Sequence, residues 1–323
     1  MRRLLAALQG SELWAVVKAD AYGHGAGDVS GAALEAGAAA LCVATVGEGL
    51  SLRRAFGDAR ILVMGPVSDT ELAQAKDARL ELAVSDTSAP GGLSVHVKID
   101  TGMGRYGVRE LPTLPENVVG LMSHLATADS DPAFARDQLA RFLAVAKAHP
   151  DLEAHVANSA AAFRLPESRL HAARCGIALY GLSPFGTDPA EDGLEPVLSW
   201  RSELAQVKVL EPGESTGYDR RFVAERPTWI GIVPVGYADG FRRDLTGTVV
   251  LVAGERRGVV GTVSMDSFAV ELDRELRAGT PVTLIGDGIL AEEHARVAGT
   301  ITYEIVSRIG VNPDRASRVV TGR

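Results

Sequence analysis

Short apolar runs recur along the first half of the chain, and Ala-rich amphipathic stretches separate most of them. The runs read WAVVK from Trp14, ALCVAT from Ala40, RILVMG from Arg60, LELAVS from Leu80, VHVKI from Val95, GLMSHL from Gly120, EAHVAN from Glu153 and ARCGIALY from Ala173. Segments 27–37, 69–77 and 132–149 between them carry apolar residues at helical spacing. Eight strands alternating with helices predict a closed, TIM-like parallel α/β barrel over residues 1–190. Segment 87–93 is too short for a helix between strands four and five, so one helix of the outer ring is expected to be missing. A linker rich in Pro, Gly and acidic residues follows at 184–196. Beyond it, SELAQVKVL, TWIGIVPVG, TVVLVAG, GVVGTV and FAVEL are β-rich, split by Gly and Pro, with little helical periodicity before Ala291. Residues 191–323 therefore read as a second, mostly antiparallel β domain.

Composition narrows the function. At 323 residues, with 46% hydrophobic and 23% charged residues, the chain can bury a substantial core. A net charge of −8 argues against general affinity for nucleic acid or an anionic membrane. The two cysteines, Cys42 and Cys175, sit in apolar runs, which suits buried thiols in a reducing cytoplasm better than a disulfide or metal framework. The opening MRRLLAAL has too short an apolar run for a signal peptide, and no segment is long enough to span a bilayer. A cytoplasmic location is expected.

In a parallel barrel the chemistry sits at the carboxyl ends of the strands. Lys18 ends the first strand, in WAVVKADAYGHG. Desolvating an ammonium is costly, and a lysine held there can lose its proton and attack a carbonyl, which is Schiff-base chemistry. A snorkelling strand-end lysine is an equal reading of Lys18 alone. His124 falls in the sixth run, Asn158 and Ser159 end the seventh, and Arg174 to Ile177 lie on the eighth. On the fifth strand His96, Lys98 and Asp100 alternate with aliphatic residues, which puts three ionisable groups inside the barrel, as an ion-pair network or as part of the chemistry.

Seven motifs in order, VVKADAYGHG, KIDTGMGRYG, SHLATAD, ANSAA, RCGIALYGL, GYADG and SMDS, resemble the alanine racemase family along nearly the whole chain. That resemblance implies pyridoxal 5'-phosphate as cofactor and a two-base interconversion of L- and D-alanine, supplying D-alanine for cell-wall peptidoglycan. Lys18 then carries the cofactor and serves as one base, and Tyr218 is the other, arriving from the partner of a head-to-tail homodimer. Arg174 faces the pyridine nitrogen. As a permanent donor it leaves that nitrogen unprotonated. His124 hydrogen-bonds this arginine and relays polarisation toward Tyr218. Tyr22, Ser159, the backbone N–H groups of Gly176 and Ile177, and Tyr303 hold the phosphate, with Asn158 beside them. Arg105 contacts the cofactor phenolate and the substrate carboxylate. Met265 and Asp266 line the partner's substrate pocket. Lys98 matches a lysine carried as a carbamate in relatives, although an ion pair to Asp100 is the simpler reading.

The chain departs from the family pattern in three places. It opens within what should be the first helix, without the strand that normally precedes it, which leaves an unpaired edge in the β domain as an expectation. Segment 87–93 is short, and Ser264 stands where relatives often have cysteine. Two other readings share the lysine motif: a non-catalytic pyridoxal phosphate carrier, and an amino-acid decarboxylase of the same plan. The β domain with Tyr218 weighs against the first. Arg174, where decarboxylases place a carboxylate, weighs against the second.

Overall fold

Eight short strands close a parallel barrel in the computed structural model, which describes residues 1–85, 90–111, 113–310, 312 and 314–321. They are β1 (Glu12–Val16), β2 (Ala40–Val43), β3 (Ile61–Val63), β4 (Glu81–Val84), β5 (Val95–Lys98), β6 (Val118–Met122), β7 (Glu153–His155) and β8 (Ala172–Cys175), paired in chain order, with β8 returning to β1. Strands covered on both faces need no alternation, and β3 is accordingly buried at every residue. The helices are α1 (Arg2–Leu8), α2 (Lys18–Tyr22, a single tight turn), α3 (Ala26–Glu35), α4 (Val46–Ala55), α5 (Asp69–Asp77), α6 (Pro132–Ala146) and α7 (Ser159–Arg164). Asp131 caps α6 by accepting from the N–H groups of Ala133 and Phe134, with Pro132 at its first position.

The expected gap in the outer ring lies partly outside the described residues, since 87–89 are not among them, and 90–93 form a turn. The β5–β6 connection also lacks a helix among its described residues. Gly102, Gly104 and Gly107 there all adopt positive φ, which a helix cannot use.

The first compact unit comprises Met1–Phe185 with Asp192–Glu195, and the second Gly186–Glu191 with Pro196–Arg323. The second is built on a seven-stranded antiparallel sheet of β9 (Trp200–Glu203), β10 (Gln206–Leu210), β13 (Thr228–Val233), β14 (Val249–Val252), β15 (Glu255–Val260), β16 (Phe268–Leu272) and β17 (Pro281–Ile285). Its order is β10-β13-β16-β15-β14-β17-β9, and a separate ribbon pairs β11 (Ser215–Thr216) with β12 (Phe222–Val223). Ala253 and Gly254, both at positive φ, make the two-residue turn between β14 and β15. Phe241 stacks on Phe268 at 4.3 Å in this unit's core, and α8 (Ala291–Val297) and α9 (Thr302–Ser307) complete it. Among the described residues no helix is long and apolar enough to cross a membrane.

Candidate active site

Lys18 leaves the carboxyl end of β1 into a turn of unusual hand. Ala19, Asp20, Ala21 and Tyr22 have φ of 52°, 51°, 53° and 54°, one left-handed helical turn without a glycine. Each L-residue so placed costs about 1–2 kcal/mol, so surrounding bonds must over-determine the turn. Asp20 supplies two of them: its carbonyl accepts from the Gly25 N–H at 2.9 Å and its Oδ1 from the Ala26 N–H at 2.8 Å. Glu48, in the first turn of α4, supplies the third by accepting the Ala19 N–H at 2.7 Å, while its other oxygen accepts from Ala44 at 2.7 Å. The signal in the sequence for this carboxylate is the Thr45–Glu48 capping box, which by itself marks no more than a helix start.

Lys18 shares the barrel mouth with other cations. Burial, then the Arg105 guanidinium, hold its ammonium below the usual lysine range, with Arg174 adding to them and Glu48 opposing. Lys98, at the end of β5, is 6% exposed. Its amine is pushed down to about 8 by burial, then by Arg105, Arg174 and Lys18. Tyr106 lies under two of these cations, with Lys98 Nζ 5.4 Å and Arg105 Cζ 5.9 Å from its ring centre. Asp100 accepts the backbone N–H groups of Gly102 and Gly104 at 3.0 Å, and among the described residues no ion pair joins it to Lys98. The simpler pairing is thereby set aside.

Arg174 is fully enclosed on β8, where burial lowers its guanidinium to about 10. It donates to the Ser123 carbonyl at 2.6 Å, to the His155 carbonyl at 2.8 Å and to His155 Nδ1 at 2.7 Å. The imidazole bonded to Arg174 is therefore that of His155, not His124, a correction to the sequence reading. Both histidines sit near strand ends of the same barrel, and spacing alone does not separate them. His124 is half-buried. Burial, then Arg174, Lys98, Arg105 and Lys18, push its imidazole down to about 3, so it is neutral.

A second group gathers after β7 and β8. Ser159 Oγ accepts the N–H of Gly176 at 3.1 Å and of Ala178 at 3.4 Å, and Asn158 caps α7 by accepting from Ala161. Ile177 opens a short 3₁₀ turn directly after Gly176. A Cβ on Gly176 would lie 2.5 Å from the Tyr22 hydroxyl, so only glycine leaves room for that phenol. Burial pushes the Tyr22 phenol well above its ordinary range, which keeps it a donor. Together these residues offer an amine able to lose its proton, a cationic wall, and hydroxyls with nearby backbone amides. That donor set fits an anionic aldehyde cofactor.

The two halves of the chain match the family models "Alanine racemase, N-terminal domain" over residues 1–184 and "Alanine racemase, C-terminal domain" over residues 197–318. The chain belongs to the alanine racemase family. It is 40% identical to alanine racemase 1 of Bacillus subtilis (92% of this chain, 84% of that one) and 39% identical to alanine racemase of Geobacillus kaustophilus (98% and 89%). Among solved structures it resembles alanine racemase of Streptomyces coelicolor with a TM-score of 0.88 and 36% identity, covering 96% of this chain and 92% of that one.

The other residues expected from alanine racemases lie in the second unit. Tyr218 follows Gly217, is 67% exposed, and is anchored through its carbonyl, which accepts from Thr262 Oγ1 at 3.1 Å. Met265 is 52% exposed, and its carbonyl accepts the Ala238 N–H at 3.0 Å. Asp266 pairs with Arg315 at 2.8 Å, which also holds Asp239. Tyr303 is half-buried on α9. Both cysteines are buried free thiols, pushed up to about 12.

Proposed function

We propose that this chain interconverts L- and D-alanine with pyridoxal 5'-phosphate on Lys18, in a head-to-tail homodimer, supplying D-alanine to peptidoglycan synthesis. The single observation that carries the residue assignment is the left-handed turn after β1, which delivers a proton-shedding Lys18 among Arg105, Lys98 and Arg174. When bound, the cofactor makes the substrate's α C–H acidic by spreading the electron pair left behind.

The chain's own residues do the rest. Lys18 would hold the cofactor's aldehyde carbon. Tyr22, Ser159, Tyr303 and the amides of Gly176 and Ile177 would hold its phosphate, with Asn158 fixing the start of α7 beside them. Arg174, which cannot give up its proton, would face the ring nitrogen and leave it unprotonated. Arg105 would bind the phenolate oxygen and the substrate carboxylate.

Racemisation needs a proton removed from one face of Cα and another delivered to the opposite face. Lys18 Nζ serves one face. Tyr218 of the second protomer serves the other, with the neutral His124 as its acceptor and Met265 and Asp266 flanking the substrate. The exposure of Tyr218 and Met265 supports that reading, since a large apolar side chain left open is suited to burial against a second copy. Lys98 as a carbamate would replace a repelling ammonium beside Arg105 with an anion. Incubation with L-alanine in heavy water tests the activity: α-deuterated D-alanine is expected, and its absence removes the assignment. A decarboxylase would instead release carbon dioxide.

A further inference from the structure

The barrel interior below Arg174 is not wholly aliphatic. Trp14 fills its centre, and beside it His155 and His96, both fully buried, lie edge to face with ring centres 4.9 Å apart. His155 Nε2 meets His96 Nδ1 at 2.9 Å, and His96 Nε2 meets Glu81 Oε2 at 2.9 Å. Glu81 opens β4 at the amino-terminal rim, where Arg60 grips it through two bonds of 2.8 and 2.9 Å and also pairs with Glu153. One hydrogen-bonded line thus crosses the barrel from the floor to the arginine at its mouth.

The two ends of this line dictate its direction. A guanidinium only donates, so His155 Nδ1 accepts and its proton sits on Nε2. His96 Nδ1 must then accept, its own proton sits on Nε2, and the ionised Glu81 receives it. Both imidazoles are neutral and both turn a lone pair toward Arg174, so their dipoles favour its charge. Burial works against the Glu81 carboxylate, but His96 and Arg60 hold it below the usual range. The line also has room made for it: a Cβ on Gly120 would lie 2.2 Å from His96 Nδ1. Apolar side chains of similar volume would fill such a core at no loss of stability, so its polar content asks for another reason.

We infer that Glu81 and His96 are positioning residues for Arg174, holding the orientation and charge of the guanidinium from the opposite rim of the barrel. This rests on the reading of Arg174 as the group facing the cofactor's ring nitrogen. Glu81 reaches Arg174 through the two histidines, from the rim opposite Lys18. Glu153 is the natural control, because it shares Arg60 at the same rim and binds His171 instead, outside the line.

The test has two arms, both on the full-length, cofactor-loaded enzyme. Imidazole nitrogen-15 NMR of the unsubstituted protein should find His96 and His155 protonated at Nε2 and not at Nδ1. Glu81→Gln should lower kcat by about tenfold with KM for alanine unchanged, and shift the pH dependence of the bound cofactor's absorbance. Glu153→Gln should change neither. An Nδ1 proton on either histidine overturns the proposal, and so do equal effects of the two substitutions, which mark a merely structural rim. If Glu81→Gln does not fold, the tautomers of the unsubstituted enzyme still decide. Absence of racemisation in the unsubstituted enzyme would instead strike the assigned function and leave the tautomer result standing.

Discussion

Gly176 faces Tyr22 so closely that a single added carbon would stand 2.5 Å from the phenolic oxygen. The strand β8 and the left-handed turn after β1 meet at this point. Tyr22 cannot swing aside freely, because its ring also packs against Tyr180 at 5.0 Å, whose hydroxyl donates to the Val16 carbonyl. Gly176→Ala should weaken cofactor binding and cost about 1–3 kcal/mol of stability from overpacking. Equilibrium binding of pyridoxal 5'-phosphate and denaturant unfolding would measure both, and unchanged affinity would exclude Tyr22 from the phosphate site.

Glu48 ties that turn to α4 through charge-assisted bonds to Ala19 and Ala44. Glu48→Gln can replace only some of them, since an amide offers one acceptor oxygen. A loss of about 1–3 kcal/mol is expected in chemical denaturation. Lys18 should also lose its proton more readily, because Glu48 favours its charged form. Trapping with an aldehyde reagent across pH would show reaction beginning at lower pH than in the unsubstituted protein.

Tyr218 and Lys18 are assigned to opposite faces of the substrate. Tyr218→Phe should lower racemisation by about 10²–10⁴-fold while leaving α-proton exchange of one enantiomer intact. Mixing this variant with Lys18→Ala should restore activity, because a head-to-tail hybrid contains one site with both bases. No recovery after subunit exchange would count against a shared site.

Lys98 is held as an amine that gives up its proton near pH 8. Carbon dioxide adds only to the neutral amine, with loss of a proton, so carbamate should accumulate as pH rises toward and past about 8 and disappear below it. Carbon-13 NMR with labelled bicarbonate should show one carbamate signal, absent in Lys98→Ala. The linkage sign for the unmodified amine is the reverse of the usual lysine case. Its folded pKa is depressed, so the penalty on stability is full below about 8 and is relieved as pH rises from there toward the unfolded value.

Much of this was legible along the chain. Period and length marked the eight strands, and the loss of helical periodicity after the linker marked the antiparallel unit, because patterning reports which faces each element must bury. The same alternation put His96, Lys98 and Asp100 inside the barrel; the first two are buried there, whereas Asp100 is only half-buried and bonds the amides of the glycine-rich loop after β5. The ordered motifs named the family. The tertiary structure alone decided which histidine bonds Arg174, since whether His124 or His155 becomes its hydrogen-bond partner is set only when the strands are closed into a cylinder. It also decided the hand of the turn after Lys18. Ala-Asp-Ala-Tyr has no local reason to be left-handed, and bonds from Glu48 and Asp20, distant or folded back, help compensate its strain. A sequence states what each segment prefers alone. Contacts between segments set what it must accept.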